Sequence, residues 1–367
     1  MSDTTSYLDW NATAPTWPEV AEAVREALIS GGNPSSVHGK GRAARRAVER
    51  ARSQIAKLAG TAPDRIVFTS GGTEANQLAL KGVSARRVVV SAVEHDSVLA
   101  AIPEAEVLPV TAEGIVDLGR LQTMLATGGP ALVSVMVANN ETGVVQPIAA
   151  VADIVHRHQG LLHCDAVQAL GKLSFAIRES GADLISLSAH KIGGPPGVGA
   201  LVVGAAPLKA LQTGGGQERG LRAGTENVPG IVGFGVAAEV VAERFEDWVK
   251  VAALRDEMEC RIASIAPEAT VFGQGIERLP NTSCIAMPGV ASATQVMALD
   301  LAGVMVSAGS ACSSGKVKAS HVLTAMGASE AGSAIRVSLG WTSSETDIDR
   351  LVAAWAALRA RTGVSAA

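Results

Sequence analysis

Aromatic side chains are scarce: Phe, Trp and Tyr together make up 3% of the 367 residues, against an apolar share of 47%. The core must therefore be built from Ala, Val, Leu and Ile, as it is where helices pack on a parallel sheet. Charge of one sign is lacking too, since the net charge is only −4. No field exists to draw in nucleic acid or an anionic membrane. No apolar run reaches membrane-spanning length, and the opening Met1 to Ser6 has neither the charged nor the apolar region of a signal peptide. A cytoplasmic, soluble protein is the expectation. Cysteine is sparse, with four residues and no C-x-x-C spacing, which argues against a zinc site and a disulfide framework. Cys164 on an apolar run, Cys260 in a helical run and Cys284 in the strand-like Thr282 to Met287 read as structural. Cys312 differs, because Ser307-Ala308-Gly309-Ser310-Ala311-Cys312-Ser313-Ser314-Gly315 has no packing side chains around it. A thiol there is exposed.

What the chain does have is alternation. From about 62 to 205, short β-rich runs such as Arg87 to Ser91, Ala131 to Val137, Asp183 to Leu187 and Gly199 to Val203 alternate with helical patterns. That order predicts a largely parallel sheet flanked by helices. From Glu226 to about Ile265 a long helix is expected to leave this unit. The remainder, with strands near Ala269 to Phe272, Ser283 to Met287 and Ala334 to Ser338 and helices near Ala293 to Leu301 and Ser344 to Leu358, reads as a smaller α+β domain.

Several motifs sit just after the β-rich runs, where open α/β sheets hold ligands. In Ser188-Ala189-His190-Lys191, followed by Ile192-Gly193-Gly194, one lysine stands between small polar residues and a glycine turn. A lysine amine so placed can form a Schiff base with an aldehyde cofactor. Leu161 to Asp165 is an apolar run ending in a carboxylate, with Gln168 three positions on. A strand-end Asp suits pyridoxal phosphate, whose ring nitrogen it keeps protonated. Arg65 to Ser70, then Gly71-Gly72-Thr73 and a helical run from Glu74, make a strand, a glycine turn and a helix N-terminus. Such a turn binds one phosphate through free backbone N–H groups. It is neither a Walker loop nor a dinucleotide fingerprint.

These pieces, in this order, resemble the cysteine desulfurases of the NifS/IscS type, within the class V, fold type I pyridoxal-phosphate enzymes. The resemblance runs from Tyr7-Leu8-Asp9-Trp10-Asn11 to Ile335-Arg336-Val337-Ser338. It also includes Val93-Glu94-His95-Asp96, Asn139-Asn140-Glu141-Thr142-Gly143, Gly214 to Thr225 and the Cys312 segment. It implies a fold type I transferase with a mostly parallel sheet flanked by helices, a large cofactor domain over 14–250, and a small α+β domain over 1–13 plus 251–367. Lys191 becomes the Schiff-base lysine and proton carrier, Asp165 the ring-nitrogen partner, Gln168 the donor to the phenolic oxygen, and His95 the side chain stacked on the ring. Gly72, Thr73, Ser188 and His190 form the phosphate cup, joined by Thr225 from the second subunit of a homodimer. Arg336 and Asn140 are candidates for the substrate carboxylate, since a guanidinium grips a carboxylate through two hydrogen bonds. Asn33, in Gly31-Gly32-Asn33-Pro34, is a further candidate that reads equally as a turn former.

In the activity that this implies, Cys312 takes sulfur from L-cysteine as a persulfide and leaves alanine, supplying iron-sulfur cluster or thio-cofactor assembly. The run through Lys316-Val317-Lys318 to Leu323 resembles the long-loop branch, which passes sulfur to scaffold proteins. It is more basic than the usual form, and the chain stops at Ala367 without the longer tail of housekeeping members, so the acceptor is open. The alternatives are another class V activity, such as an aminotransferase or selenocysteine lyase, and a non-catalytic pyridoxal-phosphate-binding or sulfur-relay protein.

Overall fold

A computed structural model describes residues 5–85, 87–174, 177–309 and 319–362. Its strands, in chain order, are β1 (Ser6–Tyr7), β2 (Ile66–Thr69), β3 (Val88–Ser91), β4 (Glu106–Leu108), β5 (Leu132–Ser134), β6 (Leu161–Asp165), β7 (Leu184–Ser188), β8 (Gly199–Val203), β9 (Thr270–Val271), β10 (Thr282–Ala286), β11 (Val304–Met305), β12 (Ser307–Ala308) and β13 (Ala334–Ser338). Seven of them form the main sheet in the order β2-β8-β7-β6-β5-β3-β4. Only β8 runs against its neighbours, β2 and β7; the other pairs are parallel. β2, β5 and β7 are buried at every position because helices cover both faces. Small apolar residues fill this core, as the shortage of aromatics requires.

A second core gathers Leu8, Trp248, Met258, Ile285, Ile335, Leu351 and Trp355. Its sheet runs β12-β13-β10-β9, all antiparallel, while β1 pairs in parallel with β11. The expected long helix from Glu226 to Ile265 is in fact two, Val228–Glu243 and Asp247–Ile265. Val240 and Val241 face the first core and Trp248 and Val251 the second, and the break at 244–246 lets each helix bury its own face. Four of the five tryptophans meet at this junction. Trp17 stacks on Trp341 with ring centroids 3.8 Å apart, and Trp10 meets Trp341 edge-on at 4.5 Å. Trp248 lies 6.3 Å from the same ring, so the few large aromatics are spent where the two cores join.

His163, fully buried on β6, is bonded through Nδ1 to Ser134 Oγ (2.8 Å) on β5 and through Nε2 to Ser186 Oγ (3.0 Å) on β7. Burial pushes this imidazole down to about 3 from its ordinary 6.5. Below pH 6.5 the unfolded chain takes up a proton that the folded histidine refuses, so stability is lost as the pH falls. By pH 5 this group alone should cost about 2 kcal/mol relative to pH 8. Urea unfolding at the two pH values reads it, and His163→Gln should flatten the slope; a variant as acid-sensitive as the parent would contradict the assignment.

Candidate active site

The C-terminal ends of the parallel strands open onto a cavity of about 820 Å³. Gly72 and Thr73 follow β2, His95 follows β3, Asn140 follows β5, Asp165 ends β6, and Ser188, His190 and Lys191 end or follow β7; all line it, with Gln168 and Arg336. After β7 the chain makes a short 3-10 turn, Ala189–Ile192, closed by Gly193 at φ +77°. A side chain there would overlap the Trp17 ring as well as strain the backbone. The turn presents Lys191, whose Nζ donates to the carbonyls of Asn11 (2.5 Å) and Ala12 (2.8 Å). The N-terminal segment thus crosses beside the lysine.

Asp165 is buried and its carboxylate is fixed at both oxygens. Oδ1 accepts from the Val167 N–H (2.9 Å) and Oδ2 from Asn76 Nδ2 (2.8 Å). Asn76 Nδ2 also donates to Ser97 Oγ (2.9 Å), which lies 2.8 Å from His95 Nδ1. The Ser97 N–H donates to the same Nδ1 (3.1 Å). Nδ1 is therefore an acceptor, and the proton of the neutral ring sits on Nε2. Beside this chain Glu94 is wholly buried, with Oε1 accepting from the Met136 N–H at 2.6 Å. Burial, and then the charge of Asp165, hold the Glu94 carboxyl well above the usual range, opposed by the Met136 bond.

At the other end of the cavity the helix Gly72–Gly82 starts without any side-chain cap, so its first N–H groups point at whatever binds there. Ser188 Oγ is buried without a hydrogen-bond partner among the described residues. An orphaned buried hydroxyl is costly, and an anion accepting from it and from the helix N-terminus removes that cost. His190 Nδ1 lies 3.2 Å from Thr13 Oγ1, and burial, followed by the charges of Lys191 and Lys172, pushes this imidazole down to about 4. It meets the ligand neutral. Ring-nitrogen carboxylate, lysine amine and uncapped phosphate cradle therefore all fit one flat phosphorylated aldehyde.

Arg336 sits buried in the middle of β13. It is not free: Nη2 donates to Asp9 Oδ1 at 2.7 Å and Nη1 to the Asn140 carbonyl at 3.1 Å, with Nε unpartnered among the described residues. Asp9 comes from the N-terminal segment, which bridges to Ser338 in parallel. Sequence reasoning missed Asp9, and also Lys172. Lys172, buried four residues after Gln168, donates to Gln168 Oε1 (2.8 Å) and Asn11 Oδ1 (3.3 Å). Burial first, then the charges of Lys191 and Arg336, push its amine well below the ordinary lysine value. Neither carried a signal in the sequence, since Lys172 meets Gln168 across a run of turns and not on a helix face, and Asp9 meets Arg336 from the far end of the chain.

Two proposed residues lie elsewhere. Asn33 is exposed and outside the cavity; its Oδ1 accepts from the Ser35 N–H at 2.9 Å, the turn-forming alternative. Thr225 is exposed and away from the same chain's cavity. Cys312 lies outside the described residues, although Gly309 and Ala319 on either side of its segment line the cavity. Cys164 and Cys284 are buried, whereas Cys260, expected to be structural, is exposed on its helix.

A lysine at the strand ends, an opposing carboxylate and this sheet define an enzyme of fold type I. The chain belongs to the aminotransferase class-V family, whose pattern matches residues 6–351. It is 44% identical over 364 residues to a cysteine desulfurase of Cereibacter sphaeroides, covering 94% of this chain and 93% of that one. A NifS-like protein from Rickettsia africae superimposes with a TM-score of 0.91 at 35% identity, over 97% of this chain and 99% of the other. A structure described as SspA in complex with cysteine aligns with a TM-score of 0.77 at 31% identity, over 91% and 99%.

Proposed function

We propose that this enzyme is a pyridoxal 5′-phosphate-dependent cysteine desulfurase that converts L-cysteine to L-alanine and keeps the sulfur as a persulfide on Cys312. One observation carries the reading: Lys191, Asp165 and Arg336 line a single cavity that Gly309 and Ala319, flanking the Cys312 segment, also line. The cysteine desulfurase named among its relatives supports it. Bound cofactor supplies an aldehyde that condenses with amines and a ring that draws electrons from the substrate. Lys191 would hold that aldehyde and would be the group to carry the proton at the substrate α-carbon. Asp165 would keep the ring nitrogen protonated, Gln168 would bond the phenolic oxygen, and His95 would supply the flat side chain beside the ring. Gly72, Thr73, Ser188 and His190 would take the phosphate. Arg336, steadied by Asp9, and Asn140 hold the substrate carboxylate. The Cys312 thiolate forms an S–S bond to the cysteine sulfur as the Cβ–S bond breaks; the released electron pair and a proton end on that carbon, which gives alanine.

The acceptor of the persulfide is a sulfur-carrying or iron-sulfur scaffold protein. The chain divides into a cofactor domain over 14–250 and a small domain over 1–13 plus 251–367. No helix among the described residues is long and apolar enough to cross a membrane. Incubation with L-cysteine tests the function by the appearance of alanine and, with a reducing thiol, sulfide. A keto acid in place of alanine makes it an aminotransferase, selenide from selenocysteine with no sulfide from cysteine makes it a selenocysteine lyase, and no product makes it a binder or relay.

The cavity is completed in a homodimer, where Thr225 of one copy reaches the phosphate of the other. Its loop is preset for this: Glu218 and Arg219 both have positive φ, and the buried Glu218 accepts two 2.8 Å bonds from Arg52 and one from the Phe68 N–H. Thr225→Val should weaken cofactor retention about 10- to 100-fold, the worth of one hydrogen bond to a charged group, and leave the fold intact. Equilibrium dialysis of the cofactor measures this, and a fully active monomer in sedimentation would refute the shared site.

A further inference from the structure

Glu141 has no role in the chemistry above, yet it is buried and lines the cavity. Its backbone is held rigidly. The N–H groups of Glu141 and Thr142 both donate to Asn139 Oδ1 at 2.9 Å, and Asn139 Nδ2 donates to the Val93 carbonyl at 3.0 Å. The neighbouring Asn140 carbonyl is the one that Arg336 Nη1 grips. The Glu141 carboxylate reaches away from this turn to two residues eleven positions apart in sequence. Ser320 Oγ donates to its Oε2 at 2.5 Å. Gly309 packs so close that a Cβ on it would overlap the same Oε2 and come within 3.0 Å of Ser320 Cβ. Ser320 Oγ in turn accepts from the Leu323 N–H at 3.1 Å, so the hydroxyl that meets Glu141 also caps the helix His321–Ala325.

We infer that Glu141 is a positioning residue for sulfur transfer: its carboxylate holds Ser320 through a hydrogen bond and packs against Gly309, and so sets where the chain enters and leaves the segment that carries Cys312. The inference rests on Cys312 being the sulfur acceptor. A nucleophile must be delivered within a few tenths of an ångström of its target, and misplacement by one ångström can cost about 100-fold. Holding one end by a hydrogen bond and the other by close packing, on the turn that also supports Arg336, refers the thiol and the substrate carboxylate to one element. Gly309 is needed at its place because the carboxylate fills the room that a methyl group would take.

The four cysteines supply a built-in assay. Iodoacetamide labelling of the cofactor-free and cofactor-loaded protein gives the rate at Cys312 relative to the exposed Cys260, while the buried Cys164 and Cys284 report unfolding. In Glu141→Ala the Cys312 to Cys260 ratio should change at least about fivefold as the two ends of the Cys312 segment shift, with Cys164 and Cys284 still protected. Alanine formation at saturating L-cysteine should fall about tenfold while KM stays within about twofold, as a misplaced nucleophile requires. Glu141→Gln, which keeps an oxygen for Ser320, should restore most of both. Gly309→Ala should reproduce the Glu141→Ala effects with the carboxylate still present. A labelling ratio within twofold of the parent in Glu141→Ala and Gly309→Ala, both folded, overturns the inference whatever the activity. If the parent itself makes no alanine, the proposed function fails instead.

Discussion

Lys191→Ala is expected to abolish the cofactor's lysine-dependent absorbance band and to lower alanine formation from L-cysteine by at least about 10³-fold, since covalent attachment and proton transfer are removed together. The large size follows from the surroundings of the lysine. Lys172, whose amine feels the charge of Lys191, is buried, tied to Gln168 Oε1 and Asn11 Oδ1, and is not among the described residues lining the cavity. It cannot take over. Lys172→Met should accordingly keep the band that Lys191→Ala loses. Absorbance spectra and amino-acid analysis after incubation read both variants, and Lys191→Ala turning over cysteine at the parental rate would remove the basis of the assignment.

Cys312→Ser should leave cofactor binding and the absorbance change on adding L-cysteine intact, yet reduce alanine and persulfide to below about 1% of the parent, because a hydroxyl does not accept sulfur. The other thiols offer no replacement. Burial, and then the charges of Glu94 and Asp165, push Cys164 well up, and burial, followed by Glu141, does the same to Cys284. Neither supplies thiolate. Cys260 is exposed on the helix Asp247–Ile265, outside the cavity lining. Mass spectrometry of alkylated persulfide distinguishes the sites: label surviving in Cys312→Ser and vanishing in Cys260→Ser would mean that the wrong thiol has been assigned.

Much of this site was legible in one dimension because its parts are local. β-branched apolar runs ending in a turn place the next polar residue at a strand end, which is how Thr73, Asp165 and Lys191 are read, while His95 and Asn140 lie after such runs but take their roles from the family resemblance. The same reasoning covered Cys164 and Cys284, whose apolar neighbours bury them, but failed at Cys260, because helical character does not say which face meets solvent. It failed again across 244–246, where the pattern stays helical while the chain passes from one core to the other.

The sequence by itself determined the alternating sheet, the small-residue core, the order of the ligand-bearing turns and the candidate chemistry of each. Tertiary structure alone decided what those residues meet. Asp9 reaches Arg336 across 327 positions, Ser320 reaches Glu141 across 179, and Lys191 reaches Asn11 across 180. It also decided that Asn33 closes a surface turn while Asn140 lines the cavity. The physical reason is that periodicity and turn chemistry report a residue's immediate backbone and the face it buries. Which distant partner satisfies a buried charge depends on how separately formed layers pack, and nothing in the neighbouring residues records that.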